Sequence, residues 1–260
     1  MTTSNQNNSI RQASVKAIKD VLSGGYPVVA IETWEEDSTV STLTSFYNSI
    51  FKANGAFYIW DLQSGLCDMT SGTAQKMSAA EAMDKLMSCE KPGFFIFKDM
   101  PEMLTDIEIQ RRIKNIYLRF RGQNRFLIFT GAQFSLPVEL NKDVILINYR
   151  LPDINEIKFL VKEYLTALAK RGIEIKLTED ESEQISTSLK GFTSAEAKFA
   201  LNKACCGKKV VDGTILSVLH DEKEQLAKKD GVLEYVRSSD RIEDVGGLEN
   251  LKDWLKKRRK

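Results

Sequence analysis

Val28-Val29-Ala30-Ile31-Glu32-Thr33-Trp34-Glu35-Glu36-Asp37-Ser38-Thr39-Val40 is the stretch on which the fold turns. Its first six residues are mostly apolar and rich in β-branched side chains, the pattern of a strand covered on both faces. Beyond a short acidic connection, Val40, Leu43, Tyr47 and Ile50 recur at helical spacing, with Asp37 or Ser38 placed to cap the helix. A buried strand that runs almost directly into an amphipathic helix is half of a βαβ unit. Four further runs of the same kind follow at Ala56–Trp60, Phe94–Phe97, Arg125–Thr130 and Val144–Asn148. Between them, Ser78-Ala79-Ala80-Glu81 forms a capping box that opens a helix to about Met87, and Ile109, Ile113, Ile116 and Phe120 line another. Alternating strands and helices predict an α/β layer: a five-stranded parallel sheet with helices on both faces.

The pattern changes at Leu151-Pro152-Asp153. Asp153, with Glu156 as reciprocal partner, opens a helix to Gly172, and Thr178 opens one that stops at Gly191. Thr193-Ser194-Ala195-Glu196 is a second capping box, and a fourth helix follows Asp212-Gly213 to about Lys229. No strand is expected after residue 151. The expected organisation is therefore a disordered polar tail at 1–9, an α/β unit at 10–150 and a helical unit at 151–235, followed by the segment 236–260.

Composition narrows the function classes. The 260 residues are 42% hydrophobic and 28% charged, which is ordinary for a globular protein. Lys plus Arg (37) nearly balances Asp plus Glu (36), so no global field draws the chain to nucleic acid or membrane. No apolar run has transmembrane length. Cys67, Cys89, Cys205 and Cys206 form no Cys-x-x-Cys, and reduced, buried thiols in a cytoplasmic protein are expected. His220, the sole histidine, has no ligand partners near it in sequence, so neither a metal site nor histidine catalysis is expected.

The tail carries the most specific motif. Arg241-Ile242-Glu243-Asp244-Val245-Gly246-Gly247-Leu248-Glu249-Asn250-Leu251-Lys252 resembles the segment that opens the large domain of AAA ATPases, where it lies against adenine. The strand order followed by a helical lid is similar to an AAA module itself. Trp60-Asp61-Leu62, Leu151-Pro152-Asp153 and Gly191-Phe192-Thr193 fit the bacterial, cyanobacterial and algal-plastid AAA family first noted as a conserved chloroplast reading frame. That resemblance implies a five-stranded sheet of P-loop NTPase type with a C-terminal lid, truncated at the start of the active AAA module. It further implies ATP and Mg in the full-length parent, with Val245 and Gly246 at adenine there, and a homo-hexameric parent. An AAA module in cis, an unnamed protein partner and, in an algal host, the plastid stroma belong to the same expectation.

A phosphate loop needs Gly-x-x-x-x-Gly-Lys-Ser/Thr between the first strand and its helix, so that backbone N–H groups and a lysine meet the phosphates. This chain has Trp34-Glu35-Glu36-Asp37-Ser38-Thr39 there. Like charges at ~4 Å cost about 4 kcal/mol per pair at an effective dielectric near 20. The magnesium-binding Asp-Glu expected after the third run is replaced by Lys98-Asp99-Met100, while Thr130 stands where a polar sensor would. The expectation is a fragment with no catalytic residues, metal or cofactor of its own, acting as an interaction and assembly domain. The alternative is a clamp-loader-like or nucleic-acid-binding structural module, for which Arg111, Arg112, Lys114, Arg119, Arg121 and the run Lys256–Lys260 are the candidates. The plainer reading of those cations is a solvated helix face and a basic helix end.

Overall fold

The computed structural model describes residues 10–52, 54–229, 251 and 254. In chain order its elements are α1 (Ile10–Ser23), β1 (Val28–Glu32), α2 (Glu36–Phe51), β2 (Ala56–Asp61), β3 (Gly65–Asp68), β4 (Thr73–Gln75), α3 (Ala79–Met87), β5 (Gly93–Lys98), α4 (Ile107–Phe120), β6 (Arg125–Gly131), β7 (Ile145–Asn148), α5 (Ile154–Lys170), β8 (Glu174–Ile175), α6 (Glu179–Ser188), α7 (Ser194–Cys205), β9 (Val210–Val211) and α8 (Ile215–Lys229).

The five expected strands form the parallel body of one sheet, ordered β2-β5-β6-β1-β7. β1, β2, β5 and β6 are continuous in hydrophobicity because each is covered twice, whereas the edge strand β7 leaves Leu146 and Asn148 exposed. Val29, Ile31, Phe94, Ile96, Phe126 and Ile128 face α1 and α2, and Ala30, Phe95, Phe97, Leu127 and Phe129 face α3 and α4. Aromatic packing dominates both layers. Trp60 is wholly buried against Phe97 and donates its indole N–H to the Met77 carbonyl at 3.0 Å. Tyr47 stacks on Phe57 and donates to the Gly55 carbonyl at 2.9 Å, so its buried hydroxyl is satisfied.

Three features depart from the sequence reading. The sheet has seven strands, because β3 and β4 extend its β2 edge as an antiparallel hairpin. Helix α1, which the sequence reading did not single out, buries Ile18 and Leu22 against the α2 side of the sheet. The helical part also contains a parallel pair, β8 with β9, two residues each and too short to leave a pattern.

Helices α5 to α8 enclose their own core of Ile157, Val161, Ile185, Leu201, Ile215 and Leu219 among others, and it shares no residue with the two sheet cores. The capping boxes at Ser78, Asp153, Thr178 and Thr193 are all formed. Among the described residues no helix is long and apolar enough to cross a membrane. All four cysteines are free; Cys205 is buried, Cys67 and Cys89 are half-buried, and Cys206 is exposed, contrary to the expectation that all would be buried. The tail expected at 1–9 lies outside the described residues, as does the 236–260 segment apart from Leu251 and Trp254. Those two are helical and about half exposed.

Candidate functional site

In an open parallel sheet, ligands meet the C-terminal strand ends where successive connections leave in opposite directions. Here the chain leaves β1 toward β2 on one side, and leaves β6 toward β7 on the other. The crevice therefore opens at the ends of β1 and β6.

Only Thr33, Trp34 and Glu35 join β1 to α2. Thr33 continues the strand by donating its N–H to the Gly131 carbonyl at 2.8 Å. Its hydroxyl oxygen then accepts the Glu35 N–H at 2.9 Å. The Thr39 hydroxyl donates to the Glu35 carbonyl at 2.9 Å and lies 3.1 Å from Thr33 Oγ1. These buried contacts pin the turn and start the helix at Glu36, which puts its cap at Glu35 rather than at the expected Asp37 or Ser38. Glu35 occupies the cap position yet makes no side-chain bond to α2. Its carboxylate reaches elsewhere.

Alternation along the strands places Thr33, Lys98 and Thr130 on the α2 face of the sheet. Lys98 Nζ donates to Glu36 Oε1 at 2.7 Å, bridging the end of β5 to the first turn of α2. Burial disfavours the ammonium, but the Glu36 hydrogen bond and the charges of Glu36, Asp61 and Asp37 outweigh it and raise its pKa above the ordinary lysine value. Asp61 is also burdened by burial. The N–H groups of Ser64 and Gln63, together with Lys98, nevertheless hold its carboxyl below the usual range. Thr130 is fully buried, and its hydroxyl has no hydrogen-bond partner among the described residues.

Glu35 is 7% exposed and its Oε1 accepts the N–H of Ser194, the first residue of α7. A carboxylate at a helix N-terminus is favoured by the helix dipole and by the unpaired N–H groups there. Thr193 caps the same end by accepting the Glu196 N–H at 3.1 Å. Beside this contact lies a cleft of about 1360 Å³ between the 34–38 segment and helices α5 and α7. Trp34, Phe159 and Phe199 line it and are 70%, 62% and 71% exposed. Lys158 on its wall is engaged by Glu183 at 2.6 Å, while Lys162, Lys198, Glu163 and Asp37 also border it.

The sequence-derived positions Glu35, Glu36, Asp37, Lys98 and Thr130 thus gather at one end of the sheet. Val245 and Gly246 lie outside the described residues. The Lys98–Glu36 bridge had a signal in sequence, since opposite charges replace both halves of one expected site. Ser194, 159 residues from Glu35, had none. In the basic helix α4, Arg112 is bound to Asp84 at 3.0 Å and faces Glu108 at 3.3 Å, so it belongs to a surface ion network.

Comparison with known proteins adds ancestry to this geometry. A family model described as "SpoVK-like AAA ATPase, N-terminal domain" matches residues 14–149, and its companion, "SpoVK-like AAA ATPase, second domain", matches 155–230. The AAA domain-containing protein ycf46 of Trieres chinensis is 31% identical over 245 residues, covering 92% of this chain and 47% of that protein. Its counterpart in Guillardia theta is 28% identical over 246 residues, covering 93% and 47%. The chain therefore spans about half the length of the curated relatives it matches. Among solved structures, C. elegans PCH-2 superposes with a TM-score of 0.51 at 12% identity, over 87% of this chain and 69% of that one. A single-site variant of Thermotoga maritima RuvB gives 0.51 at 13%, over 86% and 72%. At such identities the likeness is one of fold.

Proposed function

The chain belongs to the SpoVK-like AAA ATPase family, and from that premise we propose that this part of it is a non-catalytic interaction and assembly unit. It works in cis with an AAA module. In this reading 10–150 is an α/β unit of AAA type, 151–235 its lid, and 236–260 the joint to the ATP- and Mg-using module, where Val245 and Gly246 meet adenine. The intact protein is a homo-hexamer in the cytoplasm, or in the stroma of an algal plastid, acting on a protein partner.

One observation carries the reading: the β1–α2 turn, where a phosphate loop would be expected, is short and engaged from within. A connection of three residues is too short for a glycine cradle, Glu36 is bonded to Lys98, and Glu35 is bonded to Ser194. An incoming phosphate would have to break both contacts and then lie against Glu35, Glu36 and Asp37. A single such repulsion, about 4 kcal/mol at ~4 Å and an effective dielectric near 20, weakens binding roughly a thousandfold. The interaction role is supported by the three aromatics gathered around one cleft, since large apolar side chains clustered at a surface mark contact sites.

Titration calorimetry with Mg-ATP, paralleled by the fluorescence of Trp34 on the cleft wall, tests the proposal. No heat and no spectral change are expected up to millimolar nucleotide. A micromolar dissociation constant that Glu36→Lys abolishes would overturn it.

A further inference from the structure

The sheet unit and the helical unit have separate cores, and a wide cleft lies between their facing walls. Hydrophobic packing therefore does little to fix the angle between them. The chain crosses from β7 to α5 through Tyr149–Asp153, where Tyr149 and Pro152 are buried. That segment supplies a pivot. Glu35 supplies a strut: it stands at the N-terminus of the 16-residue α2, and its nearly buried carboxylate holds the N-terminus of the 12-residue α7 on the other unit.

We propose that Glu35 is an intramolecular latch, a tethered carboxylate that occupies the seat of a bound anion and locks the helical unit in one posture without any ligand. The inference rests on the reading of the site as filled from within, and gives it a consequence. With the latch closed, the two cleft walls bearing Trp34, Phe159 and Phe199 keep a fixed separation and form a preorganised surface. The α7 N-terminus meets the carboxylate directly through the Ser194 N–H, and its dipole favours the charge. Water is largely excluded from the contact, so the interaction is less screened than a surface pair would be.

The latch has a donor and an acceptor that can be removed separately. Glu35→Ala deletes the carboxylate, and Glu35→Gln keeps a carbonyl acceptor without the charge. Ser194→Pro deletes the N–H at the first helical position, where proline is well tolerated. Spin labels at Ser45→Cys, exposed on α2, and at the exposed Cys206 after α7, in a Cys67→Ser/Cys89→Ser background of the whole 260-residue chain, report the distance between units.

The parent should give one narrow distance distribution, unchanged by Mg-ATP. Glu35→Ala and Ser194→Pro should each broaden it, and the double variant should be no broader than either. The Ser194 amide should exchange roughly ten- to a hundredfold faster in Glu35→Ala, as expected when a hydrogen bond to a charged acceptor is lost. Glu35→Gln should fall between. If either single variant leaves the distribution unchanged, or the two effects add, the latch is refuted. Should Glu35→Ala fail to fold, Glu35→Gln and Ser194→Pro carry the same comparison. Nucleotide binding seen by calorimetry would refute the functional reading while leaving the donor–acceptor comparison intact, so the two failures are distinguishable.

Discussion

Replacing Lys98 by methionine keeps the buried stem of the side chain and removes only its charge. At 2.7 Å from Glu36 and an effective dielectric of about 20, the gross attraction is about 6 kcal/mol. Desolvation opposes it, and Glu36 is itself 37% exposed, so most of that figure does not survive as stability. The Lys98 side chain is 22% exposed, however, which places the pair between a surface contact and an interior one. A charge-assisted hydrogen bond of this kind is worth about 2 kcal/mol. Lys98→Met should also leave Glu36, Asp37 and Asp61 without the cation that all three act upon. The expected loss is therefore about 2 kcal/mol, or roughly 4–8 °C in the melting temperature of a unit this size. Urea unfolding followed by Trp60, fully buried in the sheet unit, measures it in a Trp34→Phe/Trp254→Phe background. The double variant Lys98→Met/Glu36→Gln should recover more than half of the loss, because the orphaned carboxylate is then neutral. If Lys98→Met changes stability by less than about 0.5 kcal/mol, the usual range for surface positions, or if the double variant is no better than the single, the bridge is not what closes the site.

Titration should destabilise the fold at both extremes, with opposite signs of shift. The Lys98 pKa is raised in the folded chain, so its contribution is present below the unfolded lysine value of about 10.4 and is lost as pH rises through the folded one. Asp61 and Asp68 are lowered, so theirs is present above about 3.9 and is lost as pH falls through the folded values. Urea midpoints across this range check both; Lys98→Met should flatten the alkaline limb and, because Lys98 helps hold Asp61 low, slightly shallow the acid one. A chain ending at Arg150 should keep its parallel sheet by circular dichroism, because the two sheet cores share no residue with the helical one. It should melt lower through loss of the Glu35 contact; identical melting would refute the division into two units.

How much could be read in advance depended on whether the cause was local. Val28–Thr33 and Phe94–Phe97 announced themselves because a strand covered on both faces must be apolar throughout. The capping boxes at Ser78, Asp153 and Thr193 were equally plain, since each is satisfied within four residues. The hairpin was not. Thr73-Ala74-Gln75 is exposed along its length at the edge of the sheet, so nothing in its pattern is constrained by a core. Strands β8 and β9 are shorter than one period of alternation allows to be recognised. Helix α1 did carry helical spacing at Val15, Ile18 and Leu22, but its role is to shield a strand face that becomes apparent only with the sheet assembled. At the candidate site, the acidic turn and Lys98 were legible as misplaced charges. That they neutralise each other followed only from the folded geometry. The aromatics of the cleft come from three separate elements, and no window of sequence brings Trp34, Phe159 and Phe199 together.

The brevity of the Thr33–Glu35 connection also bears on descent. No single substitution can restore a phosphate cradle there, because the backbone is too short to wrap an anion whatever side chains it carries. A return would need inserted residues, removal of the acids, and exchange of Lys98 for a carboxylate. Loss of either Lys98 or Glu36 alone would leave the other without its nearest opposite charge. In a lineage that carries this turn the steps toward an anion seat are coupled, an evolutionary ratchet set by backbone length rather than by any one side chain.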